Sequence, residues 1–94
     1  MKLKLKPSAR VNRRYILIEA KSESQVAQAV LDGLGVIGWA KSSPIFIKSK
    51  NSKIILSIDR KELNNVRAAI ELSRENIRIL RVSGTIKGLA DRNL

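Results

Sequence analysis

The sequence predicts an α+β sandwich in which two helices cover one face of a four-stranded antiparallel sheet. Three observations lead to this fold class. The chain has 94 residues, close to the commonest size of a single domain, about 100–150 residues. Hydrophobic residues make up 44% of it and aromatic residues only 3%, so an aliphatic core is available. Strand-like and helix-like patterns follow one another in the order β-α-β-β-α-β.

The first strand and the first helix follow the basic start of the chain. Residues 14–20 (RYILIEA) combine β-branched and aromatic side chains, which is typical of a strand. Ser22 and Gln25 have the spacing of a capping box, in which two side chains satisfy backbone N–H groups at a helix start. Apolar residues then recur at helical spacing until Gly35, where we expect the helix to end.

A hairpin is predicted in the middle of the chain. Residues 45–48 and 53–58 are apolar, strand-like runs. The polar residues between them, 49–52, are few enough to join two neighbouring antiparallel strands.

A second helix and a last strand complete the pattern. Asp59 and Glu62 repeat the capping-box spacing, and the following apolar residues recur on one helical stripe. We expect Asn76 to end this helix and the last strand to occupy residues 77–82.

This element order is that of the ferredoxin-like, or RRM-like, sandwich, with the first and third strands in the centre of the sheet. Alternation assigns one face to Ile16, Ile18, Ala20, Leu80 and Val82, and the other to Tyr15, Leu17, Glu19, Ile77 and Ile79. Both faces are then apolar, and two helices can cover only one. We therefore expect the second face to be covered by the chain termini, a second copy or a different protein, and we predict a partner interface at Tyr15, Leu17 and Ile79.

Composition excludes most catalytic sites. The chain has no Cys and no His, so it lacks a thiolate nucleophile and the commonest general base and metal ligand. The carboxylates are explained by helix caps and solvated helix faces, and none forms a pair suited to a two-metal nuclease. We predict no catalytic residue and no metal site. No apolar stretch is long enough to cross a membrane, and we expect a cytoplasmic protein.

The charge of the chain indicates a polyanionic partner. The formal net charge is +11, and residues 1–14 contain no acid. We divide the chain into a basic N-terminal arm, residues 1–13, and one α/β sandwich domain, residues 14–94. Phosphate contacts are expected from the bases at the start of the chain, namely Lys2, Lys4, Lys6, Arg10, Arg13 and Arg14. Base stacking on the sheet is less favoured, because Tyr15 is the only aromatic residue on a predicted central strand.

Three strings give the sequence a family resemblance. They are Arg13-Arg14-Tyr15-Ile16, Val66-Arg67-Ala68-Ala69-Ile70 and, most specifically, Ser83-Gly84-Thr85-Ile86-Lys87 after the last strand. Together they resemble the archaeal and eukaryotic ribonuclease P protein subunit family that is called protein component 2 in archaea. The resemblance spans roughly residues 7–88.

The resemblance implies an RRM-like sandwich that acts as an accessory subunit. In that family the RNA is the catalyst that removes the 5′ leader of precursor tRNA, with magnesium expected on the RNA. It also implies a TIM-barrel-like partner, protein component 3, in a heterotetramer with this subunit. The implied RNA contacts are Arg81, Ser83, Gly84, Thr85 and Lys87. The turn at Ser83 would expose backbone N–H groups to a phosphate, with Gly84 allowing a conformation that a Cβ would disfavour. An ordinary strand-ending turn is the alternative.

Two other classes of function stay open from the residues alone. A generic ribosomal-type RNA-binding protein would share the charge and the fold but would bind RNA without a protein partner. A ferredoxin-like oligomerisation or regulatory domain would explain the second apolar face but not the basic arm.

Overall fold

A computed structural model of the chain describes residues 12–85 as a four-stranded antiparallel sheet with two helices packed on one face. The elements are β1 (Arg13–Glu19), α1 (Glu23–Ser42), β2 (Ile45–Lys50), β3 (Lys53–Asp59), α2 (Leu63–Glu71) and β4 (Arg78–Ser83). The strand order is β2-β3-β1-β4, so the first and third strands are central. The predicted ferredoxin-like fold is confirmed. Neither helix in residues 12–85 has the length and apolarity needed to span a bilayer.

The main core lies between the sheet and the helices. It is built from alternate residues of the two central strands and from one stripe of each helix. Its fully or almost fully buried members are Ile16, Ile18, Ala20, Val26, Val30, Ile54, Leu56, Ile58, Val66 and Ile70. The alternation predicted for β1 is therefore confirmed, because Ile16 and Ile18 face the helices. The helices themselves approach closely: a Cβ added to Gly33 would lie 2.6 Å from Cβ of Ala69.

The first helix begins as predicted and continues further. The Oγ atom of Ser22 accepts a hydrogen bond from the backbone N–H of Gln25, and the Gln25 side chain accepts one from the N–H of Lys21. Gly35 has φ 77° and ψ 175°, which is not a helical conformation, so the first helical segment of α1 ends there as predicted and the chain kinks. A second helical segment, which the sequence did not predict, continues to Ser42, and its Trp39 packs against the main core.

The second helix lacks the predicted capping box. Asp59 caps a short 3₁₀ helix, Arg60–Glu62, by accepting a hydrogen bond from the N–H of Lys61. The carboxylate of Glu62 instead accepts a hydrogen bond from the Asn65 side chain. The helix α2 then ends at Glu71, before Asn76.

A β-bulge in β4 changes which residues face the helices. The register pairs Ile18 with Ile79 but Leu17 with Arg81, so Leu80 is an extra residue in β4. As a result, Ile77, Ile79 and Val82 all pack against the helix-side core. The prediction that Ile79 shares a face with Tyr15 and Leu17 is wrong, because simple alternation does not hold across a bulge.

Arg13 joins three elements at one end of the sheet. Its Nε donates to Oγ of Ser57 at 2.8 Å, and its Nη2 donates to the carbonyl oxygens of Ser57 at 2.9 Å and Ser43 at 2.6 Å. Ser43 is the left-handed residue that ends α1, with φ 46°. The half-buried guanidinium therefore ties the start of β1 to β3 and to the end of α1.

We expect Arg13→Ala to destabilise the fold. The change removes three hydrogen bonds with a charged donor, and we expect a loss of about 1–3 kcal/mol in the free energy of unfolding. Urea unfolding followed by circular dichroism measures it, with Lys41→Ala as an exposed control. If Arg13→Ala unfolds like wild type but loses RNA affinity, Arg13 is a phosphate ligand and not a structural tie.

Candidate nucleic-acid interface

The structure describes part of the predicted site. Lys2, Lys4, Lys6, Arg10 and Lys87 lie outside residues 12–85. The remaining predicted residues lie on β1, on β4 or in the turn after β4, and they are Arg13, Arg14, Tyr15, Leu17, Ile79, Arg81, Ser83, Gly84 and Thr85.

Antiparallel pairing of β1 with β4 brings two parts of the predicted site together. Tyr15 is the register partner of Ser83, so the start of β1 lies beside the end of β4. A Cβ added to Gly84 would lie 3.6 Å from Nη1 of Arg14, which places the Arg14 guanidinium next to the turn. The same Nη1 donates to the carbonyl oxygen of Arg13 at 3.0 Å. Arg14 and the Ser83 turn can therefore contact the same stretch of a polyanion.

The turn itself differs from the predicted phosphate nest. A phosphate nest requires backbone N–H groups that point at the anion. Here the N–H of Thr85 donates to Oγ of Ser83 at 3.1 Å, so this N–H is directed at the serine hydroxyl instead. Gly84 is not among the glycines with positive φ, and an added Cβ would meet only the Arg14 guanidinium, at an ordinary contact distance. The expectation that Gly84 permits a conformation disfavoured by a Cβ is wrong. The geometry is that of a serine-stabilised turn.

Arg81 lies on the face of the sheet away from the helices. Its register partner is Leu17, and paired residues in an antiparallel ladder direct their side chains to the same face. Arg81 is exposed, so its guanidinium is accessible to solvent. The other two predicted cations in residues 12–85, Arg13 and Arg14, are half-buried.

The centre of this face holds a small apolar cluster. Leu17 and Ile55 are fully buried, and half-buried Tyr15 packs against them. Tyr15 therefore has the packing role favoured by the sequence. Leu17 is fully buried beside its register partner Ile55, so it does not lie on an exposed apolar surface as predicted.

The register also brings together cations that sequence reasoning did not assign to the site. Lys48 pairs with Ile55, Lys50 pairs with Lys53, and Arg78 pairs with Glu19, all on the face that carries Arg81. The signal in the sequence is the stretch of residues 45–58, which contains three lysines and no acid. Only the register shows that those lysines share a face.

The arrangement suits electrostatic contact with phosphates. In residues 12–85 no group of three or more His, Cys, Asp or Glu side chains is placed to hold a metal ion. Exposed guanidinium and ammonium groups at the two edges of a sheet face can neutralise phosphates without distinguishing bases.

Comparison with known proteins places the chain in a family. Residues 14–93 match the model of the Rpp14/Pop5 family. The chain is 35% identical to ribonuclease P protein component 2 of Thermococcus gammatolerans, with 90% of this chain and 85% of that protein covered. It is 34% identical to the protein of the same name from Thermococcus kodakarensis over the same shares, and 30% identical to that of Methanococcus maripaludis strain C7 over 96% of this chain and 81% of the relative. The chain belongs to the Rpp14/Pop5 family.

Proposed function

We propose that this chain is a protein subunit of ribonuclease P, the RNA-based endoribonuclease that removes the 5′ leader of precursor tRNA. The observation that carries the proposal is membership of the Rpp14/Pop5 family across residues 14–93, with relatives named ribonuclease P protein component 2. This favours ribonuclease P over a generic ribosomal-type protein and over an oligomerisation domain.

The role that fits the residues is electrostatic support of the catalytic RNA. A folded RNA brings phosphates close together, and bound cations lower the repulsion between them. Arg81 stands exposed on the sheet face, and half-buried Arg14 lies beside the Ser83 turn. The sequence has no His or Cys, so we assign the chemistry to the RNA, and we assign the expected magnesium to the RNA as well.

We also propose a partner subunit, protein component 3, in a heterotetramer with this chain. The support is the family resemblance and an exposed apolar pair, Val36 and Ile37, directly after the kink in α1. They are 74% and 75% exposed, and adjacent exposed apolar side chains mark a surface suited to a protein contact. The buried Leu17 and the inward Ile79 are no longer candidates for that contact.

RNA binding should depend steeply on salt. If about four to six phosphates are contacted, log K against log salt should fall with a slope of roughly −3 to −5. Removing residues 1–12 should flatten the slope, because that segment supplies Lys2, Lys4, Lys6 and Arg10. Filter binding to ribonuclease P RNA across a salt series measures it. An unchanged slope would exclude the arm from the interface.

Replacing Arg81 and Lys87 together by Ala should weaken RNA binding by about 1–3 kcal/mol, the scale of a few charge-assisted hydrogen bonds. In reconstituted cleavage of precursor tRNA, the double variant should need more magnesium, because the metal can replace protein charge at phosphates. Lys41→Ala with Lys61→Ala is the control, since both lysines are exposed and the charge change is equal. Stimulation equal to wild type at every magnesium level would contradict a role for this site.

Val36→Ser with Ile37→Ser should weaken binding of component 3 by about tenfold or more, because apolar contact area at an interface anchor is lost. Leu72→Ser is the matched control, since Leu72 is 83% exposed but lies at the end of α2. Size-exclusion chromatography and titration calorimetry with component 3 measure it. Equal affinity of both variants and wild type would place the contact elsewhere.

A further inference from the structure

Cations from separate segments of the chain meet at one end of the sheet. We call this region the hairpin end, and it comprises Lys21, Lys50, the turn Asn51-Ser52, Lys53 and Arg78. Lys50 and Lys53 are register partners on either side of the turn, and Lys53 and Arg78 are both register partners of Glu19. Lys21 follows the end of β1 after Ala20.

The hairpin end is held in one conformation. Asn51 and Ser52 have φ 53° and 64°, the two consecutive left-handed residues of the tight turn that matches strand twist. The carbonyl oxygen of Ser52 accepts a hydrogen bond from the N–H of Ala20 at 2.9 Å, which anchors the turn to the end of β1. The lysines beside the turn therefore start from fixed backbone positions.

The positive charge at the hairpin end exceeds the negative charge. Glu19 is the acid on this part of the sheet, and its Oε1 lies 2.7 Å from Nη2 of Arg78. Another nearby acid, Glu75, accepts a hydrogen bond from the Gln25 side chain of α1. With Glu19 paired to Arg78, the exposed ammonium groups of Lys21 and Lys50 remain to attract an anion.

A cleft of about 490 Å³ opens at this end, between β1, the turn and the start of β4. Its polar lining comes from Glu19, Lys21, Ser52, Asn76 and Arg78. Arginine, lysine, serine and asparagine side chains are among those that donate hydrogen bonds to phosphate oxygens. The larger of its two apolar lining residues, Ile77, packs against the helix-side core. The lining contains no aromatic residue, and its apolar residues are buried Ala20 and half-buried Ile77, so it favours a charged ligand over an apolar protein surface.

We propose that the hairpin end is a second RNA backbone contact, in which a phosphate lies at the cleft between Lys21 and Arg78 and the adjoining backbone passes over Lys50 and Lys53. The proposal rests on the proposed function, because it takes RNA as the polyanion. It adds a site separate from the Ser83 turn. The two lie at opposite ends of β1, beside Glu19 and Tyr15, and four strand residues span about 13 Å.

The test compares two variants with equal loss of charge. Lys21→Gln with Lys50→Gln removes the two exposed lysines of the hairpin end, and Lys41→Gln with Lys61→Gln removes two exposed lysines from α1 and the 3₁₀ helix. The probes are ribonuclease P RNA, a single-stranded oligouridylate and an RNA duplex, each titrated with the full chain across a salt series. Circular dichroism confirms that both variants fold.

The hairpin-end variant should bind ribonuclease P RNA about tenfold more weakly at low salt, and its salt slope should be shallower by roughly 1.4–1.8, at ~0.7–0.9 per lost phosphate contact. The control variant should keep the wild-type slope. Lys21→Arg with Lys50→Arg should restore it, because the charge returns. The comparison of oligouridylate with duplex identifies the strandedness of the RNA.

Two outcomes would overturn the inference, and a third would overturn the proposed function instead. Equal slopes for the hairpin-end and control variants, with wild type binding normally, would remove this contact but leave the proposed function intact. Loss of component 3 binding with unchanged RNA binding would make the hairpin end a protein interface. Failure of the wild-type chain to bind ribonuclease P RNA, alone or with component 3, would contradict the proposed function itself.

Discussion

The pairing of β1 with β3 is the interaction on which the rest of the structure depends. These two strands pair without a register shift from Arg13 with Asp59 to Glu19 with Lys53. Their side chains supply apolar atoms to both faces, to the helix-side core and to the smaller cluster around Leu17 and Ile55. All seven pairs are in register, so each side chain of β1 lies on the same face as its partner on β3. The edge strands β2 and β4 then pair with strands whose two faces are already assigned.

Irregularity is confined to the two edge ladders. The β1–β4 ladder shifts between Leu17 and Ile18, and the β2–β3 ladder shifts between Phe46 and Lys48. Bulges at sheet edges redirect side chains and discourage pairing with another sheet. Here the redirected side chains include the cations Arg81 and Lys48. The apolar residues that stabilise the sheet thus occupy its centre, and the residues suited to phosphate lie along its sides.

Much of the fold could be predicted because it follows from periodicity and local signals. Alternation in β1, the Ser22 cap and the polar hairpin connection are all visible over a few residues. The helical segment after Gly35 was not predictable in this way, because its visible support is the packing of Trp39 against the core and not a local start signal. The Leu80 bulge likewise depends on pairing between distant strands, so the face of Ile79 could not be derived from β4 alone.

The sequence indicates which type of ligand the candidate site would bind, but not which residues share its surface. The net charge of +11 predicts a polyanionic partner. Which cations share a surface depends on register, which joins Arg78 to Glu19 across 59 residues of sequence. Arg13 shows the converse, since the sequence assigns it to RNA whereas its Nε and Nη2 donate hydrogen bonds to Ser43 and Ser57. Charge composition alone does not separate a structural guanidinium from a ligand-binding one.

The single Trp and the single Tyr are intrinsic spectroscopic probes of two different parts of the molecule. The chain has one Trp and one Tyr, and they lie on opposite sides of the sheet. Trp39 packs against the helix-side core, in the part of α1 that follows the kink, so its emission follows the docking of that segment. Tyr15 packs against Leu17 and Ile55, so its phenol ring reports on the sheet face that carries Arg81. Spectroscopy without added labels can therefore separate loosening of the helical layer from changes on the sheet surface.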